Sequence, residues 1–545
     1  MSVFSRVSSG VTYRRNPFPL VDSTKIDCNM GELIPVFERQ MIPTDIFKMS
    51  NRSLCRFMPM FAPEFTEINL YVHYFFVPYR LLAKYFPERY GTEEDVEAII
   101  TGGEGAFDPE TMTNEVSDEN FPVYDSITIP KGSIGDALGF PTGVALHDVP
   151  TYHADMIAII YNEFYRNEVL QDLVTDLTLS SDLLVRNWAK DYFTSSLPTQ
   201  QKGIAPALPL TGTSSAEWEE NQTISGSVSG GSHSHTVTVN RGTSGSMMTS
   251  NGSALYAESH SGTVGTSSAS PSMSFSGTIS KDSLNANVVD FADAGTFDVS
   301  DIRNVFAIQR IMERANRCGS RYSEFIQANF GINPGDTRMQ RPEYVGGSKS
   351  PIVVTQVLQN SASTSNSPQG NMAGHGIGYI GDRCGSYVAK EFGIMFGIAS
   401  VMPKASYQQG IDREKMWKNR WDFVNPSFQN LSEQPVYNWQ LYCDGTEDDN
   451  KVFGFQGIYN ELRTGTHHTC GNFRDNLNFW HLGRIFSERP TLSDAFLKCQ
   501  PEDTTRIFSG VDPTKYKNIL LDFATHVKTL RPLVKFPNPG LIDHN

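Results

Sequence analysis

Glu64 to Leu82 reads EFTEINLYVHYFFVPYRLL. From Thr66 to Phe76 it alternates, with Ile68, Leu70, Val72, Tyr74 and Phe76 on one face and Glu67, Asn69, Tyr71 and His73 on the other. A period of two predicts a β-strand. Tyr71 and Phe75 are too large and apolar for a free surface, so the strand is expected to be covered on both sides, as in a packed two-sheet sandwich. Pro78 has no N–H to donate and ends the ladder.

The rest of the composition agrees with a mainly β protein. The 545 residues suffice for a sizeable core, and 44 Gly, 30 Pro and 11% aromatic residues suit many strands joined by turns. The charged fraction, 19%, lies below the roughly 25% usual for soluble chains, which points to surface buried against neighbours. A net charge of −15 argues against nucleic-acid binding over the whole surface but leaves room for a local basic patch. Seven scattered cysteines without C-x-x-C spacing read as free thiols made in a reducing cytosol. The N-terminus lacks the apolar core of a signal peptide, and the longest apolar run, Phe392–Met402 (FGIMFGIASVM), reads as a buried strand.

Residues 1–27 form an N-terminal arm carrying Arg6, Arg14 and Arg15, either a basic arm reaching phosphates or a solvated terminus. Residues 28–210 and 290–545 read as two parts of one β core with long loops. His153–Arg166 predicts a helix with Met156, Ile157, Ile160 and Phe164 on one stripe. Val299–Cys318 predicts a second, capped by Ser300, with Ile302, Val305, Phe306, Ile308, Ile311, Met312 and Ala315 on its apolar side. Between them, 211–289 is an insertion rich in Ser, Gly and Thr, in which Thr236–Asn240 (TVTVN) has strand character.

Several strings then stand together: Met30–Met49 (MGELIPVFERQMIPTDIFKM), HYFFVPYRLL, Tyr192–Gly203 (YFTSSLPTQQKG), Arg321–Ser361, Pro368–Gly376 (PQGNMAGHG) and the closing PGLIDH. In this order they resemble the major capsid protein of the gokushoviruses, small tailless single-stranded DNA bacteriophages of the Microviridae. Thr199–Gln200 stand where that family usually has an aromatic residue and a proline. The resemblance implies an eight-stranded antiparallel jelly roll with long inter-strand loops and a few helices. It implies sixty copies in a T = 1 icosahedral shell around circular single-stranded DNA, in a virion assembled in the bacterial cytoplasm. It also implies a three-fold protrusion formed by the insertion and meeting a host receptor. The partners it brings are an internal scaffold, a DNA pilot protein and a small basic DNA-binding protein. A trimeric receptor-binding spike and a jelly-roll carbohydrate enzyme are the rival readings.

No enzyme signature accompanies these blocks. Gly376–Gly381 fits G-x-G-x-x-G but lacks the strand before and helix after that a dinucleotide site needs. His467, His468 and Cys470 have no further ligand at metal spacing, and the Asp448–Asp449 pair lies in a polar turn. No cofactor is required. Within the insertion, His233 and His235 share one strand face with Val237 and Val239. If three copies met on an axis, six imidazoles above a valine plug would suit Fe(II) or another octahedral divalent metal. DNA contacts are expected from Arg6, Arg14 and Arg15 and from the C-terminal run Lys528, Arg531 and Lys535 beside Phe536.

Overall fold

The computed structural model describes residues 15–101, 107–108, 113–114, 120–203, 222–229, 272–279, 299–317, 340–358, 360, 370, 372–429, 431, 433–465, 467–509 and 516–536. Nine strands make its two main sheets: β1 (Asn16–Cys28), β2 (Ile34–Met41), β3 (Ile46–Phe57), β4 (Ile68–Pro78), β5 (Glu343–Pro351), β6 (Val353–Leu358), β7 (Met372–Val388), β8 (Gly393–Pro403) and β9 (Ile519–Arg531). One sheet has the order β1-β9-β3-β7-β6, the other β5-β4-β8-β2, and the pairings are antiparallel. Apart from β4–β5 and β6–β7, which pair within one sheet, consecutive strands alternate between the sheets, consistent with a jelly roll. The count is nine rather than eight because β6 adds an outer edge to β7.

Strand β4 sits inside its sheet between β5 and β8. Its first face, Ile68, Leu70, Val72, Tyr74 and Phe76, is at most 1% exposed and fills the core between the sheets. Burying such a row is the main favourable contribution to this fold. The Tyr74 hydroxyl hydrogen-bonds the hydroxyl of Thr525 on β9, 3.1 Å away, so one polar link crosses the apolar space between the sheets. Tyr74→Phe leaves the buried Thr525 without that partner. Denaturant unfolding is expected to show a loss of about 1–2 kcal/mol at constant m-value.

The second face is covered too. Helix α1 (Tyr152–Ile160) is buried from Ala154 to Ile160 and continues as a π-helical turn, Tyr161–Tyr165. The predicted single α-helix to Arg166 therefore changes pitch, at the point where the Asn162 side chain bonds the backbone of Val174 in both directions. The turn sets Phe164 against Phe75, with ring centroids 4.7 Å apart, and brings the Tyr165 hydroxyl 2.8 Å from His73 Nδ1. Burial, with Arg186 nearby, lowers the His73 pKa to about 4, so this imidazole is neutral at neutral pH.

Strand β8 is buried at every position, as its unbroken apolar run predicts. Gly376, Gly378 and Gly381 lie within β7, the first opposite Val354 on β6 and the other two paired to β3. A side chain at Gly376 would strike the Phe57 ring at 2.6 Å, so packing accounts for that glycine without a phosphate. Gly203–Met312 forms a second compact unit, where Gln222–Ser229 pairs antiparallel with Ser272–Ile279. Helix α2 (Val299–Arg317) forms as predicted. Along its stripe Ile302, Val305 and Met312 are half-buried, whereas Phe306 is 70% exposed.

Candidate nucleic-acid interface

Strand β3 reads IFKMSNRSLCRF and separates its two faces cleanly. Phe47, Met49, Asn51, Ser53, Cys55 and Phe57 are buried inward, while Lys48, Arg52 and Arg56 stand exposed on the outer face of the five-stranded sheet. At a strand rise of about 3.4 Å per residue, successive cations are about 13–14 Å apart. The neighbours extend the row. On β9, Lys528 lies directly opposite Lys48, His526 opposite Ser50 and Ala524 opposite Arg52. On β7, Arg383 lies opposite Ser50 and Tyr379 opposite Leu54.

Like charges directly opposed across strands are destabilising, so the Lys48–Lys528 pair is a cost that an anion would relieve. Among the described residues, none makes an ion pair with Lys48, Arg52, Arg56, Arg383 or Lys528. Two acids share this face at the Arg56 end: Asp522, opposite Leu54 and paired with Lys25 at 3.4 Å, and Asp27, opposite Leu520. Tyr379 is 66% exposed and leans over Gly381, where an added Cβ would lie 3.3 Å from the ring. A row of unspent cations with an exposed ring is the chemistry that holds single strands: phosphates along the charges, a base on the aromatic face.

The residues expected to touch DNA are spread differently. Arg15 is exposed just before β1, and Lys528 belongs to the row. Arg531 is engaged within the fold: it donates to the Gln40 carbonyl, lies 3.3 Å from the Asp45 carboxylate and covers the Phe47 ring. Lys535 is exposed beyond the sheet, 5.8 Å above the Phe536 ring. Arg6 and Arg14 lie outside the described residues, as do His233, His235, Val237 and Val239. Lys48, Arg52 and Arg56 were missed in the sequence, although their K-x-x-x-R-x-x-x-R spacing puts all three on one face of a strand. Arg383 and Tyr379 carried no such signal, because β7 is too rich in glycine to alternate.

The polar loop DGTEDDN turns its acids inward on one another's counter-ion. Asp444, Asp448 and Asp449 converge on Arg489. His468 Nε2 lies 3.3 Å from an Asp412 oxygen. Among the described residues no group of three His, Cys, Asp or Glu is placed to hold a metal.

A family model described as capsid protein (F protein) matches residues 5–541. The chain belongs to that family. It is 30% identical to capsid protein VP1 of Chlamydia phage 1 over 99% of this chain and 97% of the relative. It is 28% identical to capsid protein VP1 of Bdellovibrio phage phiMH2K, over 98% and 97%, and 25% identical to that of Spiroplasma virus 4, over 94% and 93%. The protein is thus a bacteriophage major capsid protein: a structural component of the virion, not an enzyme, that functions by self-assembly. In a capsid protein a sheet face with unspent charge has two natural occupants, the genome and a neighbouring subunit. Acid on this face gathers at the Arg56 end, with Asp27, Asp136 and Asp522, which leaves the Lys48–Lys528 end open to an anion.

Proposed function

We propose that this capsid protein closes a T = 1 shell around circular single-stranded DNA, with the outer face of the five-stranded sheet turned to the genome. The observation that carries the reading is the row Lys48, Arg52, Arg383 and Lys528, exposed and without an acidic partner among the described residues. Self-association is supported by exposed aromatic surface. Phe65, 70% exposed, stacks on Trp480 at 5.3 Å, and Phe61 packs edge-on to Phe479. Such patches mark contact surfaces. With a net charge of −15 per chain, much of the genome's neutralisation falls to another component, in line with a small basic partner. The insertion, with His233 and His235 ahead of Val237 and Val239, is proposed to meet the host receptor and to bind an octahedral divalent metal, a point that metal analysis of purified particles decides.

The quadruple variant Lys48→Gln, Arg52→Gln, Arg383→Gln, Lys528→Gln tests the genome face. Binding of the chain to an oligodeoxynucleotide should lose about 3 from the slope of log K against log salt, since each phosphate contact to a single strand contributes about 0.7. Particles should form with reduced DNA content. An unchanged slope combined with failed assembly would instead assign the row to a subunit interface.

A further inference from the structure

A cavity of about 990 Å³ lies against the second face of β4, where His73 and Phe75 line it together with Arg186. The backbone of Arg186 is fixed. Its amide donates to the Gly31 carbonyl at 2.7 Å, and its carbonyl accepts from the Cys499 amide at 2.9 Å. The guanidinium is half-buried, 4.5 Å above the Tyr71 ring and 5.8 Å from that of Tyr165, which the π-helical turn delivers. Nη1 donates to the Ser400 hydroxyl at 2.7 Å. Nε and Nη2 have no partner among the described residues, and neither is closed off from solvent. The groups that act on this charge are Tyr165, Tyr71 and Cys499, none of them a carboxylate. A largely desolvated cation without a counter-ion is a cost that a bound anion offsets.

The free donors narrow the ligand. Nε–H and the adjacent Nη2–H lie side by side on one edge of the planar guanidinium and match the two oxygens of a carboxylate. This protein uses that edge twice elsewhere. Arg80 donates from Nε and Nη2 to the two oxygens of Glu391 at 2.8 and 3.3 Å, and Arg39 grips both oxygens of Asp22 in the same way. The acids on the cavity wall leave Arg186 alone; Glu163, for one, accepts from the Tyr85 hydroxyl at 2.6 Å. Phe164, Val169, Tyr344 and Leu431 line the same cavity and are exposed. A desolvated arginine among apolar side chains is the anatomy of an interface hot spot. The volume admits several side chains rather than one small ion.

We propose that this cavity receives an aspartate or glutamate side chain of a neighbouring copy of the chain, whose carboxylate pairs with Nε and Nη2 of Arg186. The chain functions by self-assembly and carries 60 acidic against 45 basic residues, so a facing copy offers carboxylates in excess. A phosphate of the genome is the other oxyanion at hand. The cavity, however, lies against the four-stranded sheet, whereas the basic row lies on the outer face of the five-stranded one, across the sandwich. That exclusion rests on the function proposed above; the free edge of Arg186 does not.

The test is assembly of dissociated full-length subunits, followed by light scattering, in the presence of N-acetylglutamate, N-acetylglutamine or orthophosphate, with equilibrium binding of each compound measured alongside. N-acetylglutamate is expected to bind saturably and to slow assembly of the wild type, and N-acetylglutamine to do neither. Arg186→Gln should raise the subunit concentration needed for assembly by about tenfold or more and abolish the response to N-acetylglutamate. Arg186→Lys, which keeps the charge and loses the fork, should recover only part of the wild-type behaviour. The wild-type competition needs no variant, so it decides the matter even if Arg186→Gln misfolds. Equal effects of the two acetylated compounds, orthophosphate binding tighter than N-acetylglutamate, no saturable binding of any compound, or normal assembly of Arg186→Gln each overturns the proposal. The sheet variant Lys48→Gln, Arg52→Gln, Arg383→Gln, Lys528→Gln should bind N-acetylglutamate as the wild type does. If its salt slope for the oligodeoxynucleotide is unchanged while that binding persists, the genome-face reading falls and the carboxylate site stands.

Discussion

Gly31→Ala is expected to abolish assembled particles and leave the chain insoluble. Gly31 has φ of +87°, in the left-handed region where a Cβ is unfavourable by about 1–2 kcal/mol. That strain is the smaller part. An added Cβ would lie 2.0 Å from the carbonyl oxygen of Cys499, with backbone rather than a movable side chain in its way. The Gly31 amide donates to Val401 on β8 at 3.0 Å, and its carbonyl accepts from the Arg186 amide at 2.7 Å. Cys499 in turn donates to the Arg186 carbonyl at 2.9 Å. Four distant segments therefore close on one another at a point where only a hydrogen fits. Relief of the clash has to break at least one of these bonds between buried groups, so the total exceeds about 3 kcal/mol, a large share of a domain's stability. Expression followed by sedimentation checks it: soluble wild-type-like particles from Gly31→Ala would show that the segments move apart more cheaply than their hydrogen bonding implies. Gly139, with φ of +92° and nothing within 4 Å of an added Cβ, is the control, limited to the backbone strain alone.

The same contrast shows what a sequence of this kind reveals. Strand β4 was legible because its alternation records the two faces it buries, and β8 because eleven buried positions leave an unbroken apolar run. The two helices were legible from periodicity, yet the π-helical turn was not, since it depends on an Asn162–Val174 clasp between segments. Of the basic row the sequence reading named Lys528 alone; Lys48, Arg52 and Arg56 share one strand face by their spacing but were missed, and the opposition of Lys528 to Lys48 depends on a register between strands 480 positions apart in the chain.

Glu64→Gln is expected to stabilise the subunit at alkaline pH and to change nothing at acid pH. Glu64 is 7% exposed where the loop entering β4 packs against residues 480–484. One carboxylate oxygen accepts from the Thr66 amide at 2.6 Å, and the other has no partner. The cation that acts on it, Arg506, is already committed to the carbonyls of Asn478, His481, Gly483 and Asp503. Burial therefore outweighs the amide bond and that distant charge, and raises the pKa from 4.5 to about 7. The native state then holds a proton that the unfolded chain has released over this interval, so stability falls as pH rises from about 4.5 to about 7. Above it the buried anion costs on the order of 2–3 kcal/mol, the upper bound set by 1.36 kcal/mol per unit of pKa. Below pH 4.5 both states are protonated and the effect vanishes. Glutamine keeps the accepting oxygen and removes the charge. Urea unfolding of dissociated subunits should thus give curves for the variant and the parent that coincide near pH 4.5 and separate through neutrality, with the variant more stable at pH 8. Parallel curves across that range would mean that Glu64 stays ionised in the fold and that Arg506 is a closer partner in solution than its bonds to four carbonyls allow.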